Sequence, residues 1–120
     1  MALNAVVFGA GMVGWVIAED LRDSSFNVTI VDKSETALGR IAERSNGEIS
    51  IHEADCSDQE IISSLAGNAD IVFGALPSWL GLSALETVIK SGKPYCDISF
   101  MAEDPRKFDQ LAKEHGVTCI

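Results

Sequence analysis

The apolar run Ala5-Val6-Val7-Phe8 leads without a break into Gly9-Ala10-Gly11-Met12-Val13-Gly14, and a helical pattern begins at once. Glycines spaced as GxGxxG between a strand and a helix constrain the fold more than any other feature of the chain. Gly9 permits a tight turn, Gly11 leaves the backbone open to a close approach, and Gly14 lets the helix pack hard against the sheet. Val13, Val16, Ile17 and Leu21 recur at helical spacing and predict the buried stripe, with Glu19, Asp20 and Arg22 facing water. A helix that starts here aims unpaired N–H groups and the positive end of its dipole into the turn, an arrangement that suits a phosphate.

The rest of the chain repeats the alternation of strand and helix. A second strand, Val28-Thr29-Ile30-Val31, ends at Asp32; Ser34 reads as the N-cap of a helix burying Ala37, Leu38, Ile41 and Ala42, which Asn46-Gly47 closes. A third strand is expected around Ile49-Ser50-Ile51, followed by Ser57-Asp58-Gln59-Glu60, which reads as a capping box before a helix faced by Ile61, Ile62 and Leu65. Ile71-Val72-Phe73-Gly74-Ala75 has the unbroken apolarity of a strand covered on both sides. It stops at Pro77, and Ser78 is the expected cap of a helix carrying Leu82, Leu85, Val88 and Ile89 to Gly92. Tyr95 to Ile98 reads as a fifth strand, Asp104-Pro105 opens a helix with Phe108, Leu111 and Ala112 inward, and Gly116 ends it. Val117-Thr118-Cys119-Ile120 reads as a sixth strand.

This order predicts an α/β chain with a three-layer Rossmann fold, a doubly wound parallel sheet of about six strands in the order 3-2-1-4-5-6. Its 120 residues make one dinucleotide-binding domain over 1–120, too short for a second domain as well. The last strand has no turn or polar tail after it, so a C-terminal substrate and dimerisation domain absent from this sequence is expected to follow.

Asp32 gives the glycine motif its ligand. An acid ending the second strand, about 20 residues past the glycines, can accept from both ribose hydroxyls of an adenosine. It would repel a 2′-phosphate, so the expected cofactor is NAD rather than NADP, with Lys33 and Ser34 partly offsetting that repulsion. An S-adenosylmethionine domain usually has an acid before the first glycine, where Phe8 stands here. A net charge of −9 disfavours nucleic acid and anionic membrane surfaces as partners. No apolar stretch approaches the roughly 20 residues of a membrane span and no leader pattern opens the chain, so a cytoplasmic location is expected. Cys56, Cys96 and Cys119 have neither disulfide nor zinc-ligand spacing and are expected as buried thiols; no metal is expected.

Only residues at the C-terminal ends of the strands can reach the ligand crevice of such a sheet. Asp55 and Cys56 then fall on the adenine side, the backbone of Ala75, Leu76 and Pro77 borders the ribose and nicotinamide, and Ser99 with Asp97 lies toward the reacting ring. The cofactor-contacting set is therefore Gly9, Gly11, Met12, Val13, Gly14, Asp32, Lys33, Asp55, Cys56, Ala75, Leu76, Pro77 and Ser99. His52 falls too far from the nicotinamide for proton transfer, and His115 reads as a cation at a helix C-terminus. No general acid or base emerges. Trp15 lies off the first helix's stripe, and Trp79 reads as exposed.

Four stretches carry a resemblance to a known family: Val7 to Gly14, Ala54-Asp55-Cys56-Ser57-Asp58, Ala75-Leu76-Pro77 through Leu80-Gly81-Leu82, and Gly92-Lys93-Pro94-Tyr95-Cys96-Asp97-Ile98-Ser99. With these the chain resembles, over essentially its whole length, the N-terminal NAD(P)-binding domain of the saccharopine dehydrogenase family, which includes lysine dehydrogenases. The resemblance implies an amino-acid oxidoreductase that transfers a hydride at a C–N bond, with the cofactor bound here and a second domain supplying the substrate pocket and a homodimer interface. The fragment alone is then expected to bind cofactor without turnover. A different class, the regulatory nucleotide-sensing domains of potassium transport systems, shares the glycines, the acid and the length. Pro77-Ser78-Trp79-Leu80-Gly81 and Tyr95 to Ser99 fit the oxidoreductase better.

Overall fold

In the computed structural model, which describes residues 2–120, β1 (Asn4–Phe8) lies at the centre of a five-stranded sheet and every neighbour runs parallel to it. The order is β3-β2-β1-β4-β5, with β2 Asn27–Asp32, β3 Ser50–Glu53, β4 Ile71–Gly74 and β5 Tyr95–Asp97. Register brings Phe8 opposite Val31 and Gly74, Asp32 opposite Glu53, and Gly74 opposite Asp97, so the C-terminal ends of all five strands form one edge.

Period-two alternation in β1 divides the core. Ala5 and Val7 face one side with Val28 and Ile30 of β2, under α1 (Met12–Asp23) and α2 (Glu35–Arg44). Val6 and Phe8 face the other with Val31 and Val72, under α3 (Gln59–Gly67) and α4 (Ser78–Lys90). A short 3₁₀ turn, Pro105–Phe108, leads into α5 (Asp109–His115), which packs beside α4. The result is the three-layer doubly wound arrangement the alternation predicts.

The sixth strand is rudimentary. Residues 118–120 run alongside β5 with a single bridge, Tyr95 to Cys119, and three hydrogen bonds: Tyr95 N–H to Thr118 O, Ile120 N–H to Tyr95 O and Asp97 N–H to Ile120 O. The segment occupies the predicted place without building a full ladder.

Helix ends follow the capping reading in part. The Ser34 hydroxyl accepts from Ala37 N–H at 3.1 Å, Asp104 accepts from Arg106 N–H at 2.9 Å, and Gly116 closes α5 in the left-handed region. The capping box is displaced by one residue: Asp58 caps α3 by accepting from Glu60 N–H at 3.0 Å, while the Ser57 hydroxyl and N–H turn back to donate to the Asp55 carboxylate. Ser78 is the first helical residue of α4, and Pro77, with no side-chain cap, holds the position before it. In α1 the buried residues are Gly14, Ala18 and Leu21, while Val13 and Val16 are exposed and Ile17 is half-buried. The close seating of Gly14 turns the helix so that its smallest residues, not its valines, face the sheet. Trp15 is half-buried beside the core, with the Arg44 guanidinium 5.8 Å from its ring centroid, and Trp79 is exposed. Of the thiols only Cys56 is buried; Cys96 and Cys119 are half-buried, and all three are free.

Candidate functional site

At the crevice edge the chain leaves β1 toward one face of the sheet and leaves β4 toward the other. Between these exits lies the glycine turn. Gly9 adopts φ 107°, and its N–H donates to Val31 O at 2.8 Å. A Cβ on Gly9 would run into the carbonyl of Ala75, whose own N–H donates to Phe8 O at 2.8 Å. Gly14 sits directly on the carbonyl of Gly9, where a Cβ has no room. Gly11 is the opposite case: a Cβ there would meet nothing within 4 Å. Gly11 caps α1 without a side-chain acceptor, and Met12 and Val13 behind it are exposed. The first-turn amides of a helix have no acceptor inside it, so this stretch presents open donors and a positive dipole end to an anion.

Asp32 faces the turn from the end of β2. Its Oδ2 accepts from Ala10 N–H and its Oδ1 from Ser34 N–H, each at 2.8 Å. A carboxylate offers about four lone-pair directions, so two accepted bonds leave capacity for further donors such as ribose hydroxyls. Lys33 beside it is exposed. Asp55, beyond β3, is exposed too; bonds from the Ser57 N–H and hydroxyl hold its carboxyl below the usual range, with the Lys33 charge a lesser contributor. Cys56 is buried, and desolvation, reinforced by Asp32 and Asp55, pushes its thiol up to about 12.

On the other side of the crevice Ala75 is half-buried, Leu76 buried and Pro77 exposed. Asp97 Oδ1 accepts from Ser99 N–H at 2.8 Å and turns the chain after β5. Burial raises the Asp97 carboxyl above its ordinary range, with the contacts from Ser99 opposing. The Ser99 hydroxyl is itself buried, as is Asp97 Oδ2, and neither has a partner. The Ser99 hydroxyl is thus turned into the fold. A cavity of about 600 Å³ lies farther on, under α5, lined by Leu85, Ile89, Asp97, Ser99, Met101 and Phe108; no residue of the glycine turn borders it.

Sequence reasoning missed two features. The bond from Ala10 to Asp32 spans residues that spacing alone associates only through a ligand. The packing of the Tyr95 hydroxyl and Asp97 Oδ1 against Gly74 was signalled solely by a glycine inside an apolar strand. His52 is exposed on β3, and His115 Nδ1 lies 3.0 Å from Leu111 O at the end of α5. Among the described residues no group of three His, Cys, Asp or Glu could hold a metal ion, and no helix is long and apolar enough to cross a membrane.

A glycine turn on a helix N-terminus, at the switch point of a parallel sheet and faced by an acid from the second strand, defines a dinucleotide-binding domain of the Rossmann class. Residues 5–120 match the family model described as "Saccharopine dehydrogenase NADP binding domain", and the chain belongs to that family as its NAD(P)-binding domain. No curated protein matches it significantly. Among solved structures, saccharopine dehydrogenase (L-Glu forming) from Saccharomyces cerevisiae superimposes with a TM-score of 0.85 at 17% identity, over 98% of this chain and 26% of that one. The 3-hydroxyisobutyrate dehydrogenase of Mycobacterium tuberculosis gives 0.72 at 17% identity, over 99% and 39%. The TrkA-N domain of the inner membrane protein ybaL from Escherichia coli gives 0.69 at 17% identity, over 100% and 87%. At such identities these likenesses establish the fold alone, and the chain spans well under half of the two dehydrogenases.

Proposed function

We propose that this domain binds NAD(H) and serves as the cofactor half of an oxidoreductase that acts on a small amino acid at a C–N bond. The observation that carries the reading is the Asp32 carboxylate at the end of β2, facing the open turn at Gly11. The amides of Gly11, Met12 and Val13 would hold the pyrophosphate, and Gly9 and Gly14 shape the turn beneath it. Asp32 would accept from the adenosine ribose, with Lys33, Asp55 and the Cys56 backbone beside the adenine. The backbone of Ala75, Leu76, Pro77 and Ser99 would border the nicotinamide. When bound, the dinucleotide supplies the hydride donor or acceptor; this chain's part is to hold and orient it.

The family is described as NADP-binding, whereas an anionic acceptor at position 32 opposes a 2′-phosphate. That is the ground for placing NAD first. Following the family resemblance, we assign the full-length protein as a homodimer, its substrate pocket completed by a second domain, and expect no turnover from residues 1–120 alone; the sequence pattern is the ground for placing it in the cytoplasm. The nucleotide-sensing alternative is favoured by one observation, the likeness to the ybaL TrkA-N domain, of which this chain covers 87%.

Calorimetric titration with NAD, NADH, NADP and NADPH, repeated on Asp32→Ala, tests the reading. Tighter binding of the NAD forms, lost or relaxed toward NADP in the variant, is the expected result. Binding of ATP or ADP in preference to all four, by a folded domain, would overturn it in favour of the sensor.

A further inference from the structure

We propose that Asp32 is a positioning residue for the phosphate-facing turn, acting on the backbone before any ligand arrives; the ligand arm of its test rests on the dinucleotide reading above. The carboxylate joins two segments that are far apart in sequence. Oδ2 takes the Ala10 N–H, and Oδ1 takes the Ser34 N–H at the start of α2, both at 2.8 Å. Ala10 is buried and its bond to the carboxylate is part-buried, so removing the carboxylate leaves a largely shielded donor without its partner, which is costly. The Ser34 bond fixes the orientation of the carboxylate, because the Ser34 hydroxyl is itself committed to Ala37 N–H.

This arrangement divides the donors of the turn. The Ala10 amide is withdrawn into the fold, and the amides that follow it, from Gly11 onward, are left to an anion. Gly11 adopts an extended conformation, φ −75° and ψ −168°; an added Cβ would meet nothing within 4 Å, and its carbonyl accepts from Trp15 N–H at 2.9 Å. Its direction is therefore set by its neighbours, the anchored Ala10 on one side and the first turn of α1 on the other. Without the Asp32 bond the Ala10 peptide loses its tether while Gly9 stays packed, and the amides from Gly11 onward are aimed less firmly before the ligand binds. The turn then pays an ordering cost on binding that the clamped turn does not.

Two measurements on the same variants separate this role from ribose recognition. In the first, amide hydrogen exchange is followed by NMR without ligand, on wild type, Asp32→Asn and Asp32→Ala, with circular dichroism to show that each is folded. The Ala10 amide is expected to be protected in wild type and to exchange at least tenfold faster in Asp32→Ala. Asp32→Asn, whose single carbonyl oxygen can keep one of the two bonds, should fall between them. An Ala10 amide equally protected in folded Asp32→Ala overturns the proposal whatever the ligand proves to be. In the second, NADH is compared with its 2′,3′-dideoxyadenosine analogue, which has no hydroxyl for Asp32 to accept. The clamp predicts that Asp32→Ala weakens the analogue about tenfold; a role confined to the ribose predicts no change, and that result too overturns the proposal. Failure of wild type to bind NADH at all would count against the dinucleotide reading, while the exchange experiment still decides the clamp.

Discussion

Replacing Gly14 with alanine should unfold this domain more readily, although alanine is the better helix former. At an ordinary helical site the exchange gains up to about 1 kcal/mol. Gly39 is such a site: it lies in the middle of α2, exposed, and a Cβ there meets nothing within 4 Å. At Gly14 the new methyl would fall on the Gly9 carbonyl oxygen and within 2.9 Å of the Gly9 carbonyl carbon. Both are backbone atoms, and Gly9 cannot retreat, since its N–H is bonded to Val31 O and its Cα lies against the Ala75 carbonyl.

Overpacking that side chains can absorb costs about 1–3 kcal/mol. A collision between backbones belongs at the top of that range, so Gly14→Ala should lose about 3 kcal/mol and stand roughly 4 kcal/mol below Gly39→Ala. With a urea m-value of about 1–3 kcal/mol/M, the two midpoints should be separated by more than about 1 M. Equilibrium urea unfolding of wild type and both variants, monitored by circular dichroism, reads this directly. A Gly14→Ala variant as stable as wild type would refute the argument, because it would mean that α1 can lift off the turn at little cost.

The other predictions address single groups. Tyr95→Phe removes a buried hydroxyl that has no partner and should leave stability unchanged or raise it by up to about 1 kcal/mol, where loss of a bonded tyrosine would lower it; thermal unfolding distinguishes the two. Ser34→Ala removes the cap of α2 and should cost about 1 kcal/mol in the same assay. Burial raises the Asp97 carboxyl, so from about pH 4 up to its folded-state value the native state holds a proton the unfolded state has released, and stability falls as pH rises through that window. Asp97→Asn, which retains an oxygen for Ser99 N–H, should abolish that slope and be the more stable at neutral pH; parallel pH-stability curves would contradict it. With its thiol pushed up to about 12, Cys56 should resist iodoacetamide in the folded protein at pH 8, where its thiolate fraction is on the order of 10⁻⁴, and mass spectrometry of the alkylated peptides checks this.

What the sequence disclosed follows from what its residues can signal locally. Strand–glycine–helix order, the acid at 32 and the ends of the helices are written in short-range patterns, and the parallel sheet with β1 at its centre follows from them. The buried face of α1 was misread because hydrophobicity ranks Val13 and Val16 above Gly14 and Ala18. Close approach selects for smallness, which a hydrophobic stripe does not record. The cap of α3 lies at Asp58 while Ser57 turns back to Asp55, and adjacent turn residues offer several bonding schemes of similar cost. Burial of the Ser99 hydroxyl and the Cys56 thiol depends on how α4 and α3 cover the sheet. Spacing along the chain contains none of that.

The crevice floor is fixed from three independent directions, and all of them end on two residues. The residue following β4 contributes the Ala75 carbonyl against Gly9, α1 contributes Gly14 against the carbonyl of Gly9, and β2 contributes both Val31 O for Gly9 N–H and the Asp32 carboxylate for Ala10 N–H. Past Ala10 these constraints stop, and Gly11, Met12 and Val13 are exposed. The turn thus has a held half and an open half joined at one peptide. Rigid support immediately beneath an exposed row of donors is what preorganisation requires, since the open half can be aimed without being covered. Substitutions in the held half should therefore act on stability and affinity together, whereas bulk added at Gly11, where space is free in the protein, should act on affinity alone.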